Sequence, residues 1–104
     1  MTEAKENSAK FSIGELVQYK RLGAQAVIFD IDPEFSLSER WYQQQGFGQP
    51  AKQEPWYHLL VSNSAETVYV PQELLTAACN PEPINHPLLG RYFTSFEFGS
   101  YRPY

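Results

Sequence analysis

AVIFDIDP, residues 26–33, is an apolar, β-branched run that ends in two aspartates and a proline. β-Branched and aromatic residues favour strands. A run with no polar alternation is typical of a strand that is covered on both faces. Pro33 ends the strand, because proline lacks the N–H that a β-ladder needs. These residues therefore predict a central strand.

Shorter apolar segments on both sides of this run predict its neighbours. Leu16, Val17 and Tyr19 precede a turn near Gly23. Further strands are predicted at residues 56–62 and 67–70, joined by the polar turn 63–66. Four or five short strands in 104 residues predict a mainly β fold, namely a small SH3-like barrel.

A long loop, residues 34–54, separates the second and third predicted strands, and residues 36–45 in it could hold a short helix. Loops of this length are commonly functional. The loop also carries aromatic side chains, which either contact a partner or fold back onto the barrel. Its candidate partner-binding residues are Arg40, Trp41, Tyr42 and Phe47.

The C-terminal third predicts helices. Residues 72–78 predict one helical turn or slightly more. Apolar side chains then recur at helical spacing from Leu88 to Phe96, between a proline suited to a first turn and Gly99, which suits a stop. We predict a short amphipathic helix over residues 87–98. Residues 1–10 are expected to be a flexible polar arm, and residues 11–104 a single domain.

Composition excludes several classes of protein. With 42% hydrophobic and 19% charged residues, the chain is neither collagen-like nor fully disordered. No apolar stretch is long enough to span a bilayer and no secretory signal is present, so we expect a cytoplasmic protein without membrane contact. One cysteine and two histidines cannot build a disulfide or a structural zinc site, and no metal or cofactor is expected.

Two acidic residues and a histidine are the candidates for chemistry. Asp30 and Asp32 alternate around Ile31, so both point to one face, where they could share a proton or hold a cation. Capping of the turn before Pro33 is the favoured alternative. His58 could act as a general base, but no serine or cysteine motif in the sequence identifies a nucleophile for it. A structural, hydrogen-bonding role for His58 is therefore favoured. We expect no enzymatic activity.

Basic residues are few. The net charge is −4, which opposes long-range attraction to DNA. The candidate phosphate contacts are Lys10, Lys20 and Arg21.

Several segments resemble the YccV-like, hemimethylated-DNA-binding family, which includes bacterial heat shock proteins. They are KFSIG at 10–14, VIFDIDPEFSLS at 27–38, PWYHLLV at 55–61 and VYV at 68–70. The residues that mark the family are Asp30, Asp32, Pro33, Trp56, Tyr57, His58 and Tyr69. Gln18 and Tyr19 depart from the family pattern, since relatives often carry an arginine and a histidine there.

The resemblance implies an SH3-like barrel, a cytoplasmic bacterial protein, and neither enzymatic activity nor a cofactor. The partners that it implies are hemimethylated double-stranded DNA and a Lon-type protease or its substrates; plant relatives are similar to adaptors for the Clp protease. We also expect a homo-oligomer, of which a trimer is one form. Two functions stay open, a duplex-binding regulator and a protein-interaction adaptor.

Overall fold

The structure is a computed structural model that describes residues 9–45 and 52–104. These residues form seven strands: β1 (Leu16–Tyr19), β2 (Ala24–Asp32), β3 (Trp56–Val61), β4 (Thr67–Pro71), β5 (Leu75–Ala77), β6 (Phe93–Glu97) and β7 (Ser100–Pro103). The two α-helices are short, α1 (Glu39–Gln44) and α2 (Leu89–Tyr92), and a 3-10 turn covers Gln72–Leu74. The predicted arm, apart from Ala9 and Lys10, lies outside the described residues.

The main sheet is antiparallel, with strand order β4-β3-β2-β1-β5. The predicted mainly β fold with a short helix is confirmed, and β2 is the central strand. Its register against β3 shifts between Ile28 and Asp30, which marks a bulge. A bulge bends a strand and increases its twist. The strands of the predicted SH3-like barrel do not close into a barrel among the described residues, because β4 and β5 form the two edges of the sheet.

Two hydrophobic cores cover the two faces of this sheet. The first is built from strand residues on one face: Val17, Tyr19, Ala26, Ile28, Tyr57, Leu59, Val70 and Leu75. The second joins Leu16, Val27 and Leu60 on the opposite face to Ile84, Phe93 and Tyr101 of the C-terminal segment. The C-terminal segment therefore covers the sheet of its own chain, which explains why β2 is apolar on both faces from Ala26 to Phe29.

Gly14 is the point where the main sheet meets the β6–β7 hairpin. Its N–H donates to the carbonyl of Ile28 at 2.8 Å, and its carbonyl accepts from the N–H of Tyr101 at 2.8 Å. Gly14 has a φ of +93°, and a Cβ at this position would lie 2.1 Å from the Tyr101 carbonyl oxygen. Only glycine fits so close to another backbone.

The helix predicted over residues 87–98 is wrong beyond Tyr92. Helix α2 ends there, and the next five residues form β6, which pairs with β7 around Phe98 and Gly99. Both of these residues have positive φ, as a tight two-residue hairpin turn requires. Gly99 is therefore a turn residue, not a helix stop. The turn predicted at 72–78 is also shorter, because β5 begins at Leu75.

Candidate functional site

Helix α1 positions the aromatic side chains of the β2–β3 loop. The Ser38 side chain caps the helix by accepting from the Trp41 N–H at 3.1 Å. Glu39 forms an ion pair with Lys52, whose ammonium lies 4.4 Å from the centroid of the Tyr42 ring. The helix predicted at 36–45 is confirmed at Glu39–Gln44, and these contacts tie it to the chain just before β3.

The loop aromatics fold back onto the ends of β3 and β4. Phe35 packs edge-to-face on Trp56 at 4.8 Å between ring centroids, and Trp56 stacks on Tyr69 at 5.2 Å. Trp41 reaches Tyr69 at 5.5 Å, and Tyr42 reaches Phe35 at 5.2 Å. Trp56 is fully buried as a result. The loop therefore covers part of its own sheet, while Trp41 also lines the β4 groove described below.

Asp32 is the polar centre beneath these rings. Its Oδ2 accepts from the Ser36 hydroxyl at 2.7 Å, from the Tyr69 hydroxyl at 2.8 Å and from His58 Nε2 at 3.2 Å. Burial raises the pKa of Asp32, but these hydrogen bonds outweigh it and hold the pKa below its ordinary value. The arrangement supports the prediction that this carboxylate caps the turn after β2.

Asp30, Asp32 and His58 come together closely enough that their ligand atoms lie within 4.8 Å of one another. Asp30 is exposed and its Oδ1 accepts from the Ile31 N–H at 2.9 Å. Because Asp32 already accepts from two hydroxyls and a histidine, the cluster is satisfied by protein donors. His58 acts here as a hydrogen-bond donor to a carboxylate, as the structural interpretation predicts.

Tyr57 faces the opposite side of β3 and fastens the start of the domain. Its ring is fully buried against Phe11, and its hydroxyl accepts from the Lys10 N–H at 3.1 Å. The same hydroxyl donates to the side-chain oxygen of Gln72. The pKa of Tyr57 is raised above its ordinary value, mainly because the side chain is buried. This family-marking residue therefore has a structural role.

A groove of about 360 Å³ runs along β4, between the β1–β2 turn and helix α1. Its floor is the strand itself, from Thr67 to Val70. The side chains around the floor are Tyr19, Arg21, Leu37, Trp41, Gln45 and His58. The sequence analysis named Tyr69 of this strand but missed Leu37, Thr67, Val68 and Val70 as site residues. An apolar Leu37 in a polar loop was the available signal, and it stays 41% exposed.

The three basic residues proposed for DNA do not form one patch. Lys10 and Lys20 line a second groove, which also contains Glu54 and Glu73, and Lys20 donates to the Glu73 carbonyl at 3.2 Å. Arg21 lines the β4 groove instead and donates to the Gln45 carbonyl at 3.3 Å. Two carboxylates thus partly balance the lysines, and the arginine points elsewhere.

The remaining predicted site residues have different positions. Arg40 is exposed on α1, whereas Trp41 and Tyr42 are half-buried. Pro33 is exposed directly after β2. Phe47 lies outside the described residues. The family-marking residues Asp30, Asp32, Trp56, His58 and Tyr69 meet in one corner of the sheet, and this corner adjoins the β4 groove through His58 and Tyr69.

Comparison with known proteins identifies the family. The sequence profile described as "Hemimethylated DNA-binding protein YccV like" matches residues 9–100. The chain belongs to the YccV-like family. The matched residues include the five-stranded sheet, β6 and the whole corner around Asp32, and they end at Ser100, the first residue of β7. No helix in the described part of the chain is long and apolar enough to cross a bilayer.

Curated relatives carry the YccV-like domain inside longer chains. F-box only protein 21 of Mus musculus is 31% identical over 98% of this chain, and F-box only protein 21 of Homo sapiens is 30% identical over the same share. The match covers 16% of each of these proteins. The chain therefore spans about a sixth of the length of these relatives. No solved structure matches it significantly.

Proposed function

We propose that this chain is a non-enzymatic, cytoplasmic regulatory domain of the type of the bacterial heat shock protein HspQ. In this proposal it binds hemimethylated DNA and modulates protein degradation by a Lon-type protease. The observation that carries the proposal is the match of the hemimethylated-DNA-binding profile to residues 9–100, nearly all of the described domain.

The DNA contact that we propose lies on the β1–β2 turn. Lys20 and Arg21 are adjacent there and both are exposed, and Lys10 shares a groove with Lys20. Basic side chains on a turn reach phosphates, which position a protein on a duplex without reading its sequence. Because two or three phosphate contacts release few counterions, we expect affinity to fall only moderately with salt.

Binding of labelled duplexes tests this function. One sequence is prepared hemimethylated, fully methylated and unmethylated, and titrated with protein at about 50 mM and about 200 mM salt. Tight binding that is selective for the hemimethylated duplex and survives the higher salt supports the proposal. Equal binding of all three duplexes that vanishes at the higher salt contradicts it.

A charge-matched pair of variants locates the contact. Lys20→Ala with Arg21→Ala removes two positive charges from the turn, and Arg91→Ala with Arg102→Ala removes two from exposed positions on α2 and β7. The first pair should weaken duplex binding at least tenfold. The second pair should change it only slightly. Equal losses would mean that net charge, and not this turn, controls binding.

A second candidate, an adaptor for a Lon- or Clp-type protease without significant DNA binding, is favoured by the β4 groove. The groove joins Trp41 and Leu37 to a strand edge, and aromatic side chains are typical anchors in protein interfaces. A degradation assay with purified Lon-type protease and a casein substrate tests this candidate. An unchanged rate of casein degradation at a saturating concentration of the domain contradicts this candidate.

The proposed homo-oligomer is tested separately by sedimentation equilibrium. A mass above 12.0 kDa that is an integral multiple of it supports self-association. A single species at 12.0 kDa over the whole concentration range contradicts it.

A further inference from the structure

In the described part of the chain, the outer edge of β4 offers unpaired backbone groups to the groove. In the β3–β4 ladder, the Val61 N–H donates to the Glu66 carbonyl at 3.2 Å and the Gln72 N–H to the Pro55 carbonyl at 3.2 Å. The register between these bonds is regular. Since bonded pairs alternate in an antiparallel ladder, Val68 and Val70 bond to β3, and the backbone groups of Thr67 and Tyr69 point outward.

Within residues 9–45 and 52–104, no hydrogen bond joins the outward backbone groups of Thr67 and Tyr69 to another part of the chain. Buried or half-buried backbone groups are nearly always paired in a folded protein. Pro71 ends this edge, because it has no N–H to offer. The open edge therefore presents two donors and two acceptors over three residues, which is the spacing that a short extended peptide needs.

The groove beside this edge has a definite chemistry. Leu37, Trp41 and Val68 give it apolar walls. Arg21 is the cationic side chain on its rim, and none of the described residues that line the groove carries a carboxylate. The nearby Asp32 carboxylate does not line the groove and already accepts from His58 and Tyr69, so Arg21 is the charged side chain that the groove presents to a ligand. A peptide with acidic side chains matches it by charge, and apolar side chains on alternate positions match its walls.

We propose that an extended, acidic peptide segment of a partner protein binds here by adding a strand to β4. Its backbone pairs with Thr67 and Tyr69, one side chain in two packs against Trp41 and Leu37, and a carboxylate pairs with Arg21. This mode of recognition takes its affinity from main-chain hydrogen bonds and its specificity from alternate side chains. The proposal rests on the adaptor candidate and names the site and the chemistry of its partner.

The other edge of the sheet is less suited to such a peptide. Strand β5 has three residues, and the groove beside it holds Glu54 and Glu73 as well as Lys10 and Lys20. Its mixed charge gives no preference for an acidic or a basic segment. This edge provides the matched control.

Fluorescence anisotropy with three labelled hexapeptides tests the site on the full chain. The first alternates valine with glutamate, the second alternates valine with lysine, and the third is the glutamate peptide with methylated backbone nitrogens. The glutamate peptide should bind at least tenfold more tightly than either of the others. Equal binding of the methylated peptide would overturn the proposal, because that peptide keeps the side chains and cannot pair as a strand. Absence of binding by the glutamate peptide would also overturn it.

Variants then place the peptide on one edge. Thr67→Pro removes an outward N–H from β4, and Ala77→Pro does the same on β5, where Ala77 faces away from β1 in the alternation set by the Ala78–Leu16 bond. Thr67→Pro should weaken glutamate-peptide binding by roughly tenfold, the equivalent of about one hydrogen bond or more. Ala77→Pro should leave it unchanged. Equal effects of the two variants would overturn the assignment to β4.

Arg21→Gln tests the charge without relying on a proline. The preference for the glutamate peptide over the lysine peptide should fall by roughly two- to fivefold, as for a partly exposed ion pair. A preference that does not change would overturn the role given to Arg21. The degradation assay distinguishes failure of the adaptor function from failure of the β4 peptide site. Peptide binding without an effect on degradation would contradict the adaptor function alone. An effect on degradation without peptide binding would contradict the β4 site alone.

Discussion

At the scale of single residues, Asp32 connects the long loop to the sheet. It ends β2 and holds Ser36 of the loop, Tyr69 of β4 and His58 of β3 on one carboxylate oxygen. Hydrogen bonds to a charged acceptor are stronger than neutral ones. The loop that carries Trp41 is thus fixed at its first turn by one ionised side chain.

Asp32→Asn should lower the free energy of unfolding by about 1–2 kcal/mol at neutral pH, because the amide is a weaker acceptor for these donors. The pKa of Asp32 is lower in the folded state than its ordinary value. Its stabilising contribution is therefore complete above the ordinary pKa and is lost as pH falls through the folded pKa. Urea unfolding at neutral pH and below about pH 3 should show the difference between wild type and variant shrinking in acid.

Asp30→Asn is the matched control for this prediction. Asp30 is exposed and its carboxylate accepts from the neighbouring Ile31 N–H. Its substitution should change stability by less than about 0.5 kcal/mol. If both variants lost the same amount of stability with the same pH dependence, the hydrogen bonds of Asp32 would not be its cause.

Gly14→Ala should destabilise the fold by roughly 2–4 kcal/mol, since the added Cβ meets a backbone oxygen and the positive φ disfavours a side chain. Gly23→Ala is the comparison. Gly23 has a φ of +63°, and a Cβ there meets nothing within 4 Å. Thermal unfolding of both variants separates the clash from the backbone cost. Equal shifts in melting temperature would show that the close approach to Tyr101 is unimportant.

At the scale of elements, the turn between β6 and β7 is built from an unusual residue. Phe98 has a φ of +52° and is 96% exposed. Left-handed backbone is costly for a residue with a bulky side chain, whereas asparagine adopts it readily. The strain at Phe98 is not offset by packing within the described domain.

Phe98→Asn should therefore stabilise the hairpin by about 0.5–1 kcal/mol, because asparagine followed by glycine is the preferred pair for such a turn. Chemical denaturation measures the gain. Phe98→Ala keeps the Cβ but removes the exposed ring, and should change stability little. A loss of stability in the asparagine variant would mean that the ring makes contacts that hold the turn.

Elements with a local signal could be predicted from the sequence, and elements defined by distant pairing could not. The strand at 26–33 and the hairpin at 56–70 follow from apolar runs, a polar turn and two prolines. Strand β5 is three residues long and exists through its pairing with β1, some sixty positions earlier. Residues 93–97 satisfy helical spacing as well as strand pairing, so only their contact with Tyr101 and the second core selects the strand.

The same distinction holds for the candidate site. The capping role of Asp32 is local, because Ser36 lies four residues away, and turn chemistry predicts it. The β4 groove depends on which strand is an edge and on where α1 comes to rest. No short segment of the sequence determines which strand is the edge or where α1 packs. The separation of Lys10 from Arg21 likewise follows from the fold alone.

At the scale of the whole molecule, two cores share one sheet, and the second depends on the C-terminal segment. Phe93 and Tyr101 pack against Leu16, Val27 and Leu60, and the Tyr101 hydroxyl accepts from the buried Ile84 N–H at 2.8 Å. A chain that lacks residues 87–104 should lose cooperative unfolding and bind the dye ANS. An intact transition at the same urea midpoint would show that the second core is dispensable.

The pairing of Gly14 with Tyr101 also bears on how the domain can be carried by other proteins. The Gly14 carbonyl accepts from the Tyr101 N–H at 2.8 Å, and Glu15 forms a β-bridge with Ser100. The first and last paired segments of the domain are therefore neighbours in space. Domains whose two ends lie close together tolerate insertion into another protein, because the two connections to the host chain are then close to each other. A domain of this kind can form part of a longer protein. The match to this chain covers 16% of F-box only protein 21 of Mus musculus.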